Sequence, residues 1–325
     1  MTERVQQMRE VTVVIPNWNG MAYLENCLSS LRQQDFQGFE TILIDNGSSD
    51  GSVDYVREKF PEVQIHRFPS NTGFCRAVNE GIRLSDTPYV ILLNNDTVCD
   101  RAFVGELLKA IKRHPRCFSC GAKMLQLKKP ELLDDAGDYY CALGWAFAAG
   151  KGKPGKQYDR ERRIFASCAG AAIYRRCIFD EIGLFDEKHF AYLEDIDVGY
   201  RARIRGYENR YIPAAVVYHA GSATSGSAYN EFKVIHSSRN SVYLIYKNMP
   251  ALQVVINIPF LLIGYLIKIA FFARRGFLKQ YLTGLRNGIR MSKKEDKVVF
   301  QSQYLKNYLR IQLELWWNVV RRFRN

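Results

Sequence analysis

Short apolar runs alternate with amphipathic stretches along the first third of the chain. Five apolar runs have the composition of β-strands, and amphipathic segments with helical spacing lie between most of them. The predicted strands cover residues 11–15, 41–44, 63–68, 89–93 and 117–125. Alternation of strands and helices predicts an α/β fold with a mostly parallel sheet flanked by helices.

The pattern changes twice beyond residue 126. Residues 150–158 are rich in Gly and Lys and predict a mobile loop. Further strands are predicted at residues 167–174 and 215–218, with a helix after residue 194. Long apolar and basic helices begin near residue 251, just after Pro250. We therefore predict an α/β domain at residues 1–248 and a basic, amphipathic helical region at residues 249–325.

Polar residues follow three of the predicted strands. Ligands of open α/β sheets bind beyond the carboxyl ends of the strands, so these residues are candidates for a ligand site. An Asp in such a position can accept hydrogen bonds from a base or a ribose, although the same residue types also dominate turns. The candidates are Pro16, Asn17 and Asn19 after the first strand, Asp45 after the second, and Asn94, Asn95 and Asp96 after the fourth.

Four acidic or imidazole side chains are candidates for catalysis. Asp96 can bind a divalent cation that a diphosphate also binds, and oxygen ligands suit Mg²⁺ or Mn²⁺. His219 ends a predicted strand and can bind the same metal. Glu194 and Asp195 begin a predicted helix, where the dipole favours the ionised form that could take a proton from an acceptor hydroxyl. Helix capping for the acids, and a hydrogen-bonded turn for the histidine, are the alternatives.

The charge of the chain is concentrated near its C-terminus. The 325 residues carry a net charge of +13, and residues 250–325 contribute 14 Lys and Arg against 3 Asp and Glu, a net +11. Residues 252–273 are long enough to span a bilayer. The lysine inside this stretch and the basic residues after it favour an interfacial or re-entrant arrangement. The last helix, at about residues 298–322, carries a stripe of apolar and aromatic residues beside basic residues, which suits an anionic membrane surface. Self-association and, less strongly, nucleic-acid binding are the alternatives.

Other sequence features narrow the classes of protein. Eight cysteines are scattered, and Cys117 and Cys120, the one CxxC pair, are predicted to be buried free thiols. The first ten residues contain no secretory signal, so a cytoplasmic location is expected. The GxGxxG match at residues 150–155 follows no strand, so it is not interpreted as a dinucleotide site. The sequence contains no Walker A pattern.

Five motifs, taken in order, resemble those of family 2 glycosyltransferases with the GT-A fold. They are VTVVIPNWNG at residues 11–20, DNGSSDG at 45–51, NTGF at 71–74 with Asn79, LNNDT at 93–97, and Glu194-Asp195. The chain most resembles bacterial rhamnosyltransferases and their galactofuranosyl relatives. The resemblance covers about residues 11–245, and five motifs in order are far more specific than any one of them.

The resemblance implies a role for each matching position. Asp195 matches the general base, with Glu194 beside it, and Asp96 matches the last acid of the DXD metal motif, with His219 as a second metal ligand. Asn94 and Asn95 stand where many members have acids, which leaves one carboxylate. The resemblance also implies a donor site, which comprises Pro16, Asn17, Asn19, Asp45, Asn71, Gly73, Phe74, Asn94 and Asn95.

The implied activity is an inverting sugar transfer that depends on Mg²⁺ or Mn²⁺. The preferred donor is dTDP-rhamnose, and the acceptor is a hydroxyl of a growing, lipid-linked cell-surface glycan. Galactofuranosyl, glucosyl and galactosyl transfer, or non-catalytic binding of a nucleotide sugar, are the alternatives. A nucleotidyltransferase would need a cationic loop after the first strand, which the sequence lacks. The protein is expected to be peripheral or monotopic on the inner face of the cell membrane. A homo-oligomer is possible under this interpretation, and no nucleic-acid partner is expected.

Overall fold

A computed structural model describes residues 9–221 and 229–324 of the chain. The first, second and fourth strands are short and largely buried, as strands covered by helices on both faces should be, whereas the third strand, at the edge of the sheet, is mostly polar. Helices follow the first three strands directly, and a fourth helix follows the short fifth strand. The elements are β1 Val11–Asn17, α1 Met21–Arg32, β2 Phe39–Asp45, α2 Ser52–Lys59, β3 Gln64–Arg67, α3 Phe74–Leu84, β4 Tyr89–Leu93, β5 Thr97–Cys99 and α4 Phe103–Arg113.

The second part of the domain is richer in strands. It contributes long strands, a separate two-stranded hairpin formed by its third and fourth strands, and the helix whose first turn contains the predicted base. The elements are β6 Cys117–Gln126, β7 Lys129–Asp135, β8 Asp138–Cys141, β9 Trp145–Ala148, β10 Arg162–Ile164, β11 Ala171–Arg175, α5 Arg176–Ile182, α6 Glu194–Ile204 and β12 Glu208–His219.

One mixed sheet joins these strands in the order β10-β12-β6-β11-β4-β1-β2-β3, with β5 paired to β12 and β7 to β6. Strands β3, β2, β1 and β4 are parallel, whereas β11 runs antiparallel to both β4 and β6. The carboxyl ends of β1, β2 and β4 therefore lie at one edge. The predicted α/β fold with a central sheet flanked by helices is confirmed, and the hairpin is an addition that the sequence did not predict.

Two sequence predictions differ from the structure in detail. The strand predicted at residues 215–218 extends over Glu208–His219. The prediction missed its first half because polar and charged residues occur there. Residues 150–158 form turns that are joined to β7 by backbone hydrogen bonds between Leu133 and both Gly152 and Lys153. Cys117 and Cys120 are buried free thiols, as predicted.

Four helices complete the described chain: α7 Glu231–Asn248, α8 Ala251–Arg274, α9 Leu278–Met291 and α10 Leu305–Arg324. Glycines on α9 let it approach α7 closely, because a Cβ on Gly284 would lie 1.8 Å from the hydroxyl of Ser238. Side chains of α8 and α10 share a buried cluster with the hairpin and α6, to which Leu261, Leu315 and Tyr200 belong. The C-terminal helices thus pack on the domain that precedes them.

The helix α8 has its polar residues on the inside. Gln253 and Asn257 are 5% and 0% exposed, whereas Leu252 and Leu266 are 73% and 62% exposed. Gln253 accepts a hydrogen bond from the hydroxyl of Tyr200, and Asn257 exchanges hydrogen bonds with Gln312. By length and composition, α8 is the one helix within the described ranges that could cross a membrane, with a mean hydropathy of 2.2.

The apolar stripe predicted on the last helix is largely part of the core. Tyr308, Ile311 and Leu315 are at most 5% exposed and pack against the catalytic domain, so the prediction that this stripe contacts a membrane is wrong for these three residues. The exposed apolar residues of α10 lie elsewhere on the helix, and Leu309 and Leu313 are examples. Hydrophobic spacing alone could not distinguish the two faces, because both are apolar.

Candidate active site

The carboxyl ends of β1, β2 and β4 are joined by a network around Asn17. Its amide nitrogen donates to a carboxylate oxygen of Asp45 (3.0 Å) and lies within 3.2 Å of the hydroxyls of Ser48 and Ser52. Its amide oxygen accepts a hydrogen bond of 2.8 Å from Asn95. Three sequence-distant motifs therefore meet at one buried side chain, because the parallel strands that carry them end at the same edge.

Asp45 is fully buried, and both carboxylate oxygens have protein partners. One accepts from Asn17, and the other accepts from the amide of Ser48 and lies 3.3 Å from the guanidinium of Arg67. Asn19 has a positive φ of 50°, and its side-chain oxygen accepts from the amide of Ser49. The structure thus brings these candidates together with Pro16 at the end of β1, and their contacts with a nucleoside stay a prediction.

The loop after β3 is shaped by Asn46, a residue that the sequence analysis did not single out. Its side-chain oxygen accepts from the amide and the hydroxyl of Thr72, and its nitrogen donates to Asn71 and to the carbonyl of Gly73. Gly73 has a φ of 90°, and a Cβ there would lie 2.6 Å from the ring of Phe190. Asn71, Gly73 and Phe74 therefore sit beside the segment that leads to Asp195.

Asp96 and His219 are adjacent, as the sequence predicted for a shared metal. The Nε2 atom of His219 lies 3.3 Å from a carboxylate oxygen of Asp96, and its Nδ1 atom lies 2.7 Å from Asp134. Asp134, at the end of β7, also pairs with Lys151 at 2.8 Å. The antiparallel pairing of β5 with β12 places Thr97 opposite His219, which explains the approach.

The second carboxylate on His219 was missed from the sequence. Burial opposes ionisation of Asp134, but the hydrogen bond with His219 and the charge of Lys151 lower its pKa to about 2. Burial alone would lower the pKa of His219, whereas its hydrogen bonds with Asp134 and Asp96 raise that pKa to about 9. A carboxylate behind a histidine is the usual arrangement for a metal-binding imidazole, because it fixes the tautomer. The residues present therefore fit a divalent cation at Asp96 and Nε2 of His219.

Asp195 lies in a separate group of acidic side chains. Ligand atoms of Asp138, Cys168 and Asp195 all lie within 4.8 Å of one another. Burial raises the pKa of Asp195 to about 6, against hydrogen bonds from Glu194 and the amide of Ala169. Burial, and then the negative charges of Asp135 and Asp195, raise the pKa of Asp138 well above its usual range. This group can hold a proton close to the predicted base.

Glu194 is more enclosed than Asp195. It is 8% exposed, and its Oε2 atom has no hydrogen-bond partner. Burial, and then the charge of Asp195, raise its pKa well above the usual range. The third acid of this helix, Asp197, is fully buried and pairs with Arg201 (2.8 Å) and Lys247 (3.0 Å). Asp197 therefore stabilises the packing of α6 against α7.

A short segment lies between the loop that carries Asp96 and the predicted base. The carbonyl of Gly170 accepts a hydrogen bond of 2.9 Å from the amide of Asn94, two residues before Asp96, and the amide of Ala169 interacts with the carboxylate of Asp195. Strand β7 makes a second connection, because Asp134 faces His219 while the next residue, Asp135, interacts with the group around Asp138. Successive residues of a strand point to opposite faces, which explains how one strand contributes to both groups.

The backbone before Asp195 has an unusual conformation. Phe190, Tyr192 and Leu193 have φ values of 62°, 75° and 67°, in the left-handed region that these residue types rarely adopt. The amide nitrogen of Asn240, on α7, lies 2.7–2.9 Å from the carbonyls of residues 189, 191 and 192. Strained backbone persists only where its surroundings fix it, so Asn240 is a candidate positioning residue that no sequence motif indicated.

Comparisons with known proteins agree with this arrangement. The glycosyl transferase family 2 profile matches residues 12–183. An N-acetylglucosaminyl-diphospho-decaprenol L-rhamnosyltransferase of Mycobacterium tuberculosis is 25% identical over 256 residues, which cover 71% of this chain and 83% of the relative. A poly-beta-1,6-N-acetyl-D-glucosamine synthase of Staphylococcus epidermidis is 22% identical over 70% of this chain, which spans about half (53%) of that relative.

Solved structures show the same fold. The structure of S. aureus TarS 1–349 in complex with UDP-GlcNAc has a TM-score of 0.59 at 16% identity and covers 88% of this chain and 82% of its own. A mannosyltransferase from Pyrobaculum calidifontis, crystallised with GDP-Man and Mn²⁺, has a TM-score of 0.54 at 15% identity and covers 95% and 85%. With the family match over more than half of the sequence, the chain belongs to glycosyl transferase family 2 and is a glycosyltransferase with the GT-A fold.

Proposed function

We propose that this glycosyltransferase moves L-rhamnose from dTDP-rhamnose to a hydroxyl of a lipid-linked glycan. The name of the Mycobacterium tuberculosis relative supports both the sugar and the prenyl-diphosphate carrier, at 25% identity. The observation that carries the proposal is that Asn94, two residues before Asp96, contacts the 168–170 segment, which also contacts Asp195. A candidate metal ligand and a candidate base thus lie close to one segment, which supports transfer between a diphosphate donor and a hydroxyl.

In the proposed reaction, Asp96 and His219 would hold Mg²⁺ or Mn²⁺, and the donor diphosphate would share the ion. The ion would supply the positive charge that stabilises the departing diphosphate. Asp134 would keep a proton on Nδ1 of His219, so that loss of the other ring proton would leave Nε2 as the nitrogen that holds the ion. The 2.8 Å contact of Asp134 with Lys151 holds the carboxylate in position.

Asp195 would accept the proton of the acceptor hydroxyl as that oxygen attacks the anomeric carbon. With a pKa of about 6, the carboxylate is mostly ionised at neutral pH yet more basic than an ordinary aspartate. A base contributes most when its pKa lies near the working pH. Direct attack inverts the anomeric centre and leaves no sugar attached to the enzyme. Asn17 and Asp45 would orient the nucleoside by fixing the loop ends around it.

We also propose that the C-terminal helices bind the inner face of the cell membrane. The outer side of α8 exposes large aliphatic residues, and α10 and the segment before it expose more, including Leu309, Leu313 and Phe323 at 58%, 64% and 72%. Soluble proteins rarely expose apolar surface on this scale without a partner. The net charge of +11 in residues 250–325 suits anionic lipid headgroups. The polar face of α8 is turned towards the protein, so a position of this helix at the membrane interface would place its apolar face in the lipid.

A donor screen tests the proposed activity. Purified full chain would be incubated with a prenyl-diphosphate-linked N-acetylglucosamine acceptor and, separately, with dTDP-rhamnose, UDP-galactofuranose, UDP-glucose, UDP-galactose and UDP-GlcNAc, each with Mn²⁺ or with EDTA. Metal-dependent transfer from dTDP-rhamnose alone is expected. Transfer from another donor would replace the rhamnose assignment, and absence of transfer from every donor would support the non-catalytic alternative.

Vesicle flotation tests the membrane proposal. The chain should float with vesicles that contain phosphatidylglycerol and less with pure phosphatidylcholine vesicles. A double replacement of the exposed Leu262 and Leu266 by Ser should reduce flotation without lowering the melting temperature, since both are more than half exposed. Equal flotation of the variant and the wild type would show that α8 does not bind the vesicle.

A further inference from the structure

A cavity opens beside the segment that precedes the predicted base. It has a volume of about 290 Å³ and is lined by Tyr192, Tyr229, Lys233, Val234, Ser237 and Phe272. We call it the Tyr192 pocket. Tyr192 lies three residues before Asp195, and Lys233, Val234 and Ser237 belong to the first two turns of α7. Phe272 lies in the last turn of α8.

Three of the six residues that line the Tyr192 pocket are aromatic. The ring of Tyr229 packs edge-on against Phe272, with 5.9 Å between centroids, and Phe272 stacks on Tyr281 at 4.9 Å. The guanidinium of Arg275 lies over the ring of Tyr229 at 4.9 Å. Such walls suit an isoprenoid chain, which offers apolar surface and no hydrogen-bonding groups.

The polar part of the Tyr192 pocket is cationic. Lys233 contributes an ammonium group, and burial, followed by the charge of the nearby Lys151, lowers its pKa. The hydroxyl of Ser237 lies on the same face of α7, one turn further along. An anion placed here would interact with the Lys233 ammonium and would offset the repulsion between the two lysines. A phosphate or diphosphate is an anion of this kind.

The position of the pocket links the base with the apolar surface of α8. At one end, the carbonyl of Tyr192 is fixed by Asn240, close to Asp195. At the other end, Phe272 follows the exposed residues Leu262 and Leu266 along the same helix. A ligand with an anionic group in the pocket could therefore extend a lipid chain towards the outer side of α8 while its sugar lies near the base.

We infer that the Tyr192 pocket binds the prenyl diphosphate of a lipid-linked acceptor, with Lys233 on the phosphate and the aromatic rings on the first isoprene units. This inference rests on the proposed function and adds the site at which the carrier is recognised. It assigns no bond-making role to Lys233. The residue positions the acceptor so that the sugar hydroxyl reaches Asp195.

Geranyl diphosphate is a water-soluble probe for this site. Its binding to the full chain would be measured by calorimetry in EDTA, so that the donor site has no metal with which to bind a diphosphate. Geraniol and inorganic diphosphate would be measured in parallel, and dihexanoyl phosphatidylglycerol would be added as a competitor. The variants are Lys233→Gln and Ser237→Phe, which fills the cavity, with Lys109→Gln on the exposed face of α4 as the matched control.

Wild type and Lys109→Gln are expected to bind geranyl diphosphate equally, and Lys233→Gln about tenfold or more weakly, as expected for loss of a contact with a charged group. Ser237→Phe should not bind it, and geraniol and inorganic diphosphate should bind more weakly than the whole probe. Melting temperatures would identify any variant that does not fold.

Three results would overturn the inference. They are absence of binding to the wild type, equal binding to all variants, and displacement by phosphatidylglycerol at comparable concentration, which would indicate a general phospholipid site. An Asp96→Asn variant separates this inference from the proposed function. It should lose Mn²⁺-dependent binding of dTDP while keeping geranyl diphosphate binding, so failure at one site is distinguishable from failure at the other.

Discussion

Replacement of Asn240 by Leu tests whether the conformation of residues 189–193 controls the activity. Asn240 is fully buried on α7, and its amide nitrogen lies 2.9, 2.9 and 2.7 Å from the carbonyls of His189, Ala191 and Tyr192. Leucine has a similar volume but cannot donate a hydrogen bond. The variant therefore removes the donor while it largely preserves the packing.

The expected magnitude follows from these contacts. The carbonyl of His189 also accepts from Arg239 and from the amide of Ala191, so the two hydrogens of Asn240 matter most for the other two carbonyls. Each buried carbonyl that loses a donor costs about 1–3 kcal/mol, so the total for two carbonyls is about 2–6 kcal/mol. Three non-glycine residues in this segment have positive φ, and such strain costs about 1–3 kcal/mol each. The released segment should relax, and Asp195 should move with it. A misplacement of about 1 Å can cost about 100-fold in rate, so we expect kcat to fall by about that factor.

The assay compares three quantities for each protein: kcat at saturating donor and acceptor, the dissociation constant of the donor, and the melting temperature. Donor binding should change less than kcat, because the network around Asn17 and Asp45 is built on β1, β2 and β4, and only the donor loop at residues 71–74 contacts the released segment. Ser241→Ala is the matched control. Ser241 is the next residue of α7 and is 3% exposed, but its hydroxyl donates to the carbonyl of Ser238 within the same helix.

Two results would refute this reasoning. The first is a folded Asn240→Leu protein whose kcat is close to that of the wild type, which would mean that the segment keeps its conformation without the amide. The second is an equal loss of kcat in Ser241→Ala, which would attribute the effect to general loosening of α7.

Asp195→Asn should lower kcat by about 10²- to 10⁴-fold, the usual contribution of a general base, and should leave donor binding intact. In the wild type, kcat should fall as the pH drops below about 6, the pKa of Asp195, because the carboxylate becomes protonated. Asp134→Asn should weaken Mn²⁺ binding by about 10- to 100-fold, because the carboxylate behind His219 is lost. In the metal-free protein, two carboxylates stabilise protonated His219 and raise its pKa to about 9. Thermal stability should therefore decline as the pH rises from about 6.5, the ordinary histidine pKa, through about 9. Mn²⁺ binding should tighten over the same pH range, because the metal needs the neutral ring. Gly284→Ala should destabilise the chain by about 1–3 kcal/mol, because the added carbon meets Ser238.

The controls for these four predictions use exposed or uncrowded sites. Asp54→Asn removes an exposed carboxylate and should leave kcat and Mn²⁺ binding unchanged. Gly105→Ala adds a carbon that would contact only Phe36, at 3.5 Å, and should not lower the melting temperature. Unchanged turnover in Asp195→Asn would remove this residue from the mechanism. Mn²⁺ binding that is insensitive to pH would contradict the assignment of His219 as a ligand, and an unaltered melting temperature in Gly284→Ala would contradict the close approach of α9 to α7.

Pattern and motif in the sequence were enough to identify the family, the α/β fold and the edge of the sheet that carries the candidate ligand site. Strands such as β1 and β4 are apolar on both faces, so their positions could be read directly, and polar residues at their ends identified the edge. Family motifs then supplied Asp96, His219 and Asp195 as candidates. These features are local in sequence, which is why pattern and motif were sufficient to find them.

The side chains that support these candidates could be identified only from the three-dimensional packing. Asp134, Asp138 and Asn240 lie on elements whose sequence pattern indicates ordinary strand or helix, and they reach the site through strand pairing and the packing of α7. The same is true of the two apolar faces of the C-terminal helices. Spacing showed that α8 and α10 are apolar, but only their packing on the catalytic domain showed which face is buried and which is free to bind a partner. Contacts between residues far apart in the chain depend on how the elements assemble, and no local pattern encodes that.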